Sequence, residues 1–178
     1  MNQKTFIIIQ ARLGSSRLKE KVLKKIGKFT LLEIMMIRLS FLNMNSNIYF
    51  AIPNNAQNDK LNNFLKEKNF NVLRGSENNV LKRYYNVAKK LKADHVVRLT
   101  SDCPLIDFKI VRKMLRYYHN NSFDYIHTDK SIAEGLDCEI FNFKSLEKAY
   151  KNSKNKSEKE HVSLYFKNNF SKFKIGQI

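Results

Sequence analysis

The sequence is short of acidic residues: 16 Asp and Glu stand against 33 Lys and Arg, which gives a formal net charge of +17. Such an excess can reflect an anionic substrate, a nucleic-acid or membrane-surface partner, or a bias of composition. Much of the charge is lysine scattered among asparagine, as in residues 151–159, with no sustained alternation of basic and aromatic residues and no RNA-binding signature. These features argue against a nucleic-acid partner and favour biased composition together with an anionic substrate.

Cysteine is also scarce, and long apolar runs are absent. Cys103 and Cys138 have neither the close pairing nor the spacing typical of a disulfide framework or a metal site. Nothing resembling a secretory signal precedes the first predicted strand, so we expect a cytoplasmic protein with two buried thiols. No apolar run approaches the roughly 20 residues that a membrane helix needs, which predicts that the chain does not span a membrane.

Several common catalytic motifs do not occur. The sequence contains neither GxxxxGK[ST] nor GxGxxG, which argues against the P-loop and NAD-binding classes. There is no GxSxG elbow, and the four histidines show no ligand spacing with the cysteines, so serine hydrolases and zinc enzymes are also disfavoured. His161, alone in a predicted helix, is interpreted as structural rather than catalytic.

The most informative stretch is residues 6–22, FIIIQARLGSSRLKEKV. Its first four residues are apolar without polar alternation, which is typical of a strand buried on both faces. The small residues that follow predict a loop whose backbone N–H groups can turn towards an oxyanion, with three cations supplying the compensating charge. The residues concerned are Arg12, Gly14, Ser15, Ser16, Arg17 and Lys21. A nucleotide polyphosphate would suit such a loop.

Strand and helix patterns alternate along the chain. Apolar patterns predict strands at 6–9, 47–52, 70–73, 95–99, 123–127 and 170–175. Spacing and capping signals predict helices that begin at the T-x-x-E box of residues 30–33, at 59, at 78, after Asp107 and at a second box, residues 157–160. The alternation predicts an α/β fold with three α/β/α layers and a mostly parallel sheet, and the length predicts one domain over residues 1–178.

A second candidate for chemistry is Asp102, which follows the fourth predicted strand and precedes Pro104, a residue that cannot continue the strand. In open α/β sheets the ligand crevice lies at the carboxyl ends of the strands, so Asp102 and the Gly14 loop are predicted to face one pocket. Mg²⁺ is commonly held by one or two carboxylates together with substrate phosphates, so the combination predicts Mg²⁺-nucleotide chemistry. Taken alone, Asp102 fits a turn-capping aspartate equally well.

Two further carboxylates occur in residues 134–139, EGLDCE. An extended backbone there would place Asp137 and Glu139 on one face and Cys138 on the other. Asp137 and Glu139 are therefore candidate contacts for a metal or for sugar hydroxyls, and a solvated strand edge is the alternative.

The segments IIIQARLGSSRL, GSENNVLKRYYNVA, RLTSDCPLID and EHVSLYF resemble the cytidylyltransferase family that includes spore coat polysaccharide biosynthesis proteins and the acylneuraminate and Kdo cytidylyltransferases. The resemblance covers residues 6 to about 170. It implies a GT-A-like fold, as in nucleotide-diphospho-sugar transferases. It also implies a Mg²⁺-dependent transfer of CMP from CTP to a sugar acid or amino sugar, with release of pyrophosphate, in surface polysaccharide or glycan biosynthesis.

The same resemblance implies roles for particular residues. It places the CTP phosphates on the loop of residues 11–17 with Arg12 and Lys21, the base and ribose near Arg74, and Mg²⁺ at Asp102. Arg12, Lys21 and Asp102 are then the catalytic residues. The nucleotide-binding set comprises Ala11, Arg12, Gly14, Ser15, Ser16, Arg17, Lys21 and Arg74. No general base is identifiable, and Asp137 and Glu139 are the residues to test.

The chain departs from the family pattern in two places. Lys19 and Glu20 stand where the family usually has Pro-Gly, and the sequence ends at Ile178, before a V-D-x-P-E-D-like motif whose aspartate helps to hold metal in relatives. We therefore expect a C-terminally truncated domain, and a homodimer is left open because that segment is linked to dimer contacts. A nucleotide-binding remnant without catalysis and a basic nucleic-acid-binding protein are the alternatives.

Overall fold

The computed structural model describes residues 3–15 and 18–178. The strands are β1 (Thr5–Gln10), β2 (Lys25–Ile26), β3 (Phe29–Thr30), β4 (Ile48–Pro53), β5 (Asn71–Gly75), β6 (His95–Thr100), β7 (Tyr125–His127), β8 (Glu139–Asn142) and β9 (Ile175–Gln177). The helices are α1 (Leu31–Ser40), α2 (Asp59–Glu67), α3 (Val80–Leu91), α4 (Phe108–Asn121), α5 (Phe143–Asn152), α6 (Lys156–Glu160) and α7 (Leu164–Asn168). None of these helices is long and apolar enough to cross a membrane.

Seven strands form the main sheet in the order β5-β4-β1-β6-β8-β7-β9, and β2 and β3 form a separate hairpin. The pairs β1–β4, β1–β6, β4–β5 and β7–β9 are parallel. Within the described ranges, β8 is the strand that runs against both of its neighbours, β6 and β7. The prediction of an α/β fold with a mostly parallel sheet is confirmed.

The central strand β1 is buried on both faces, as its apolar run predicts. Ile7 and Ile9 join the core that contains side chains of α1, α2 and α4, whereas Ile8 joins the core that contains side chains of α3, α5 and α7. All three isoleucines are fully buried. The helices therefore form layers on both sides of the sheet, and the sheet edge is left open for a site.

Helix α1 begins at the capping box predicted from Thr30 and Glu33. The Thr30 hydroxyl accepts a hydrogen bond from the Glu33 N–H at 3.2 Å, and the Glu33 carboxylate accepts one from the Thr30 N–H at 2.8 Å. The Thr30 N–H and the Lys68 ammonium lower the pKa of Glu33 to about 2. Asp107 caps α4 as predicted, because its carboxylate accepts a hydrogen bond from the Lys109 N–H at 2.7 Å.

The second predicted capping box is wrong by two residues. Asn155, rather than Ser157, caps α6, with its side-chain oxygen 2.8 Å from the Glu158 N–H. Glu158 is buried and accepts hydrogen bonds from the Lys154 N–H and from Asn168, so it joins the start of α6 to the end of α7. The helix ends at Glu160 because the backbone of His161 is extended, and the predicted single helix is therefore divided in two.

The last strand lies further along the chain than the predicted residues 170–175. Phe170–Lys172 forms a 3-10 turn, and β9 then pairs with β7 in parallel. Gly176 allows this pairing, because a Cβ at that position would lie 2.7 Å from the Phe123 ring. The predicted extended segment 134–139 is likewise shorter, since β8 begins only at Glu139.

Acid is expected to destabilise the fold through His95, the first residue of β6. Its Nδ1 lies 3.0 Å from the Tyr118 hydroxyl and its Nε2 lies 3.0 Å from Gln3 Oε1. Burial and the neighbouring His119 lower the pKa of His95, whereas Asp94 opposes that effect, and partial burial also lowers the pKa of His119. The folded protein therefore binds fewer protons than the unfolded chain, whose histidines titrate near about pH 6.5. The histidine contribution to stability is complete above that pH and is lost as the pH falls through the lower pKa of the folded state.

Urea unfolding at about pH 7.5 and about pH 5.5 checks this sign. We expect the His95→Gln, His119→Gln double variant to lose less free energy of unfolding between the two pH values than the parent protein does. Equal losses in the two proteins would contradict the assignment.

Candidate functional site

A cleft of about 240 Å³ opens at the carboxyl edge of the sheet, where β1 and β6 lie side by side. The chain leaves β1 towards β4 on one side and returns through β6 on the other, so the cleft lies at the point where the strand order reverses. It is lined by Gln10, Ala11, Arg12, Gly14, Ser15, Lys21, Val22, Val80, Arg83, Arg98, Ser101, Asp102, Glu160 and His161. The predicted meeting of the Gly14 loop and Asp102 in one pocket is confirmed.

The loop after β1 is fixed by burial and by one asparagine. Leu13 is buried, and its N–H donates a hydrogen bond to the Oδ1 of Asn58 at 3.0 Å. Asn58 is itself buried and is held by the side chain of Asn55 through its backbone N–H and its Nδ2. Arg12 and Gly14, on either side of Leu13, are exposed towards the cleft. The predicted contacts Ser16 and Arg17 lie outside the described residues.

Replacing Asn58 with alanine is expected to lower the free energy of unfolding by about 1–3 kcal/mol, because the buried Leu13 N–H then has no acceptor. Affinity for the nucleotide that the resemblance implies should fall as well, since this contact sets the position of the loop. Chemical denaturation and calorimetric titration with CTP check both effects. The matched control is Asn63→Ala, which alters an exposed asparagine of α2; equal behaviour of the two variants would contradict the role of Asn58.

A second, wider cleft of about 660 Å³ adjoins the first and shares Arg12, Gly14, Val80 and Glu160 with it. Its other walls come from the end of β4, the residues before α2, the residues before α3, and α6. These residues are Pro53, Gln57, Asn58, Glu77, Asn78, Lys156 and Lys159. The two clefts together give an elongated site that crosses the loop after β1.

Lys21 and Asp102 form an ion pair in the first cleft. Lys21 Nζ lies 3.1 Å from Asp102 Oδ2, and the two side chains are 28% and 48% exposed. Partial burial alone would raise the pKa of Asp102, but hydrogen bonds from Lys21 and from the Thr100 hydroxyl bring it below its ordinary value. Asp102 is therefore a carboxylate at neutral pH, and the cleft holds both a cation and an accessible anion.

Glu139 reaches the cleft only through Arg98. One Glu139 oxygen accepts a hydrogen bond from Arg98 Nη1, and the other accepts one from the Tyr125 hydroxyl at 2.7 Å. Arg98 Nη2 also donates to Gln10 at 3.1 Å. Burial would raise the pKa of Glu139, but the charge of Arg98 and the hydrogen bonds from Tyr125, Ser163 and Arg98 together outweigh it, so the pKa is lowered. The predicted shared face with Asp137 does not form, since Asp137 is exposed in the loop before β8 and Glu139 is buried.

Arg74 is not among the residues that line either cleft. Its Nη1 lies 2.6 Å from Asp59 Oδ1, and its Nη2 donates to the Asn55 carbonyl at 2.6 Å. Arg74 therefore stabilises the segment that carries Asn58. It affects the loop after β1 only indirectly, through the contact between Asn58 and Leu13. The expected contact with base and ribose would need this guanidinium to leave two protein partners.

Sequence reasoning did not place Asn58, Arg83, Arg98 or His161 at the site. Arg83 follows Val80 by three positions and so lies on the buried face of α3, which is an available signal for an inward-pointing cation. His161 lines the first cleft because the backbone bends at the end of α6, a feature without a local sequence signal.

The fold and the cleft define an α/β protein with a cleft at the switch point of its sheet, lined by Arg12, Lys21, Arg83 and Arg98. The sequence profile of the cytidylyltransferase family matches residues 6–178, and the chain belongs to that family of nucleotidyltransferases.

Individual relatives agree with this assignment. The chain is 42% identical to an uncharacterized protein of Methanocaldococcus jannaschii over 168 residues, which are 94% of this chain and 69% of that protein. It is 29% identical over 187 residues to the spore coat polysaccharide biosynthesis protein SpsF of Bacillus subtilis, covering 98% of this chain and 74% of SpsF. The structure of a cytidylyltransferase from Leptospira borgpetersenii superposes with a TM-score of 0.95 at 35% identity, covering 99% of this chain and 76% of that one.

Proposed function

We propose that this protein transfers CMP from CTP to a sugar and releases pyrophosphate. The observation that carries the proposal is the Lys21–Asp102 pair, which lies in one cleft with Arg12 and Gly14 at the switch point of the sheet. A cation next to an accessible carboxylate suits a metal-bound triphosphate. The family assignment supports cytidine as the base of that nucleotide.

Asp102 is the residue that would hold Mg²⁺. Its side chain is about half exposed in the cleft, and its lowered pKa keeps it ionised. The described residues contain no group of three or more side chains able to hold a metal ion, so the remaining ligands would come from the nucleotide phosphates and water. Mg²⁺ is commonly bound in this way. When bound, it would neutralise charge on the phosphates.

The reaction consists of attack by a sugar hydroxyl on the α-phosphorus of CTP. The bond from that phosphorus to the bridging oxygen of the β-phosphate breaks, the electron pair leaves with pyrophosphate, and the hydroxyl proton passes to a general base. Lys21 and Arg12 stabilise the negative charge that develops on the leaving group. No side-chain nucleophile is needed. Asp137, on the loop between β7 and β8, is the carboxylate we would test as the base.

The acceptor is proposed to be a sugar acid or amino sugar used for surface polysaccharide or glycan synthesis. Similarity to SpsF, whose name refers to spore coat polysaccharide biosynthesis, supports that class. The free thiols of Cys103 and Cys138 suit a reducing compartment, so we propose a cytoplasmic location.

The experiment is pyrophosphate release from CTP with Mg²⁺ and a panel of sugar acids and amino sugars. Reactions with ATP, GTP or UTP, and with EDTA, serve as controls. We expect release that requires CTP, Mg²⁺ and one sugar, together with an equal amount of a CMP-sugar. Binding of CTP without turnover of any sugar would overturn transferase activity in favour of a nucleotide-binding remnant. Salt-sensitive oligonucleotide binding that survives Arg12→Ala, with no affinity for CTP, would overturn the proposal in favour of nucleic acid.

A further inference from the structure

Arg83 is a buried cation without a carboxylate partner. Its side chain is 1% exposed, yet it lines the first cleft. Its Nη1 donates to the Ser76 carbonyl at 2.7 Å, and its Nε is buried without a hydrogen-bond partner. In the part of the chain that the structure describes, no Asp or Glu oxygen lies within 4.0 Å of its guanidinium. An uncompensated charge in such a place is unfavourable for the free protein.

The neighbouring charges do not compensate Arg83. The other buried arginine of the cleft, Arg98, is neutralised by Glu139, and Lys21 is paired with Asp102. Burial lowers the pKa of Arg83 and the nearby charge of Arg12 lowers it further, whereas Tyr84 and Glu77 act in the opposite direction. Glu160 and His161 line the exposed rim of the cleft, and Glu160 forms no ion pair with any described residue. The surroundings of Arg83 are therefore short of negative charge.

The close approach of α3 to the end of β5 fixes the position of Arg83. Its Cγ lies 3.0 Å from the point that a Cβ on Gly75 would occupy, so the glycine lets α3 and the arginine lie close to the end of β5. Helix α3 begins at Val80, which lines both clefts. The amino end of this helix adds partial positive charge beside the guanidinium.

We propose that Arg83 binds a phosphate group of the nucleotide, and that this bound anion supplies the counter-charge that the protein itself lacks. The identity of the anion as CTP or pyrophosphate rests on the proposed function, whereas the anion site does not. Arg83 thus destabilises the free protein and stabilises the liganded one. This behaviour separates it from Arg98, whose charge is satisfied within the fold.

The test compares Arg83→Met with Arg98→Met in the full chain, measuring the melting temperature with and without inorganic pyrophosphate and the Kd for pyrophosphate. We expect Arg83→Met to melt at the same temperature as the parent or higher, because methionine fills similar space without a charge. Its Kd should rise roughly 10–100-fold, the range for loss of a hydrogen bond to a charged group. Arg98→Met should melt lower than the parent, because Glu139 then loses its partner. Arg83→Lys should recover part of the affinity.

Two results would overturn the proposal. One is an Arg83→Met protein that melts lower by as much as Arg98→Met does. The other is an unchanged Kd for pyrophosphate in Arg83→Gln. Glutamine keeps a donor for the Ser76 carbonyl without the charge, so this variant guards against a protein that fails to fold.

The failure of the proposed function can be told apart from the failure of this proposal. If pyrophosphate affinity depends on Arg83 but the protein releases no pyrophosphate from CTP with any sugar, the anion site is supported and the transferase is contradicted. Turnover with an unchanged KM for CTP in Arg83→Gln contradicts only the role of Arg83.

Discussion

Replacing Glu139 with glutamine is expected to lower the free energy of unfolding by about 3–5 kcal/mol, which is the usual cost of breaking a buried ion pair from one side. The Arg98 and Glu139 side chains are 16% and 10% exposed, so water replaces little of the lost interaction. The Tyr125 hydroxyl also loses a charged acceptor. The pair joins β6 to β8, and its loss weakens the junction between the parallel and the antiparallel parts of the sheet.

Urea denaturation of the parent protein and of three variants measures this effect. The Arg98→Met, Glu139→Leu double variant should regain a large part of the loss, because no unpaired charge then stays buried. Lys151 and Glu147 form an i,i+4 pair at the surface, and Glu147→Gln should leave the free energy of unfolding close to that of the parent protein, because solvent screens such a pair. A loss below about 1 kcal/mol in Glu139→Gln would mean that the network contributes little.

Replacing Asp102 with asparagine is expected to reduce kcat roughly 10²–10³-fold, a loss comparable to that of one group that stabilises transition-state charge. The side chain keeps its size, but the carboxylate proposed to hold Mg²⁺ is gone. CTP binding measured without Mg²⁺ should not weaken, because Lys21 is released from its partner and is free to meet a phosphate.

The matched control is Asp107→Asn, five residues along the chain. Asp107 caps α4 and lines neither cleft, and asparagine caps a helix about as well as aspartate. This variant should retain the parent kcat. Full activity of Asp102→Asn with undiminished dependence on Mg²⁺ would exclude Asp102 as the metal ligand.

The strands and helices of the first half of the fold can be predicted from short stretches of sequence. The apolar run of β1 marks a central strand, and the Thr30–Glu33 box marks the start of α1. The meeting of Lys21 with Asp102 is also predictable despite their separation in sequence, because both follow strands whose carboxyl ends must share an edge of a parallel sheet. The apolar and capping patterns, together with the rule that ligands bind at the carboxyl ends of parallel strands, are sufficient to predict these features.

Ion pairs between residues far apart in the sequence leave no such signal in the sequence around either residue. Nothing near Arg98 or Glu139 in the sequence shows that they pair, since the reversed direction of β8 decides their register. The same holds for Arg74, whose pairing with Asp59 depends on how the segment after β4 folds back beside β5. The cap at Asn155 was missed because two nearby residues, Asn155 and Ser157, both suit a helix start, and burial of Glu158 decides between them.

The reversed direction of β8 also decides which segment of this protein tolerates changes of length. The loop of residues 128–138 leaves β7 and enters β8 at the same edge of the sheet, and its two ends are tied by hydrogen bonds between Thr128 and Cys138 at 3.1 and 3.3 Å. Because these ends are fixed to each other, insertions or exchanges within the loop leave the strand register unaltered. Residues 129–137 can therefore differ in length or composition while β7 and β8 keep their pairing.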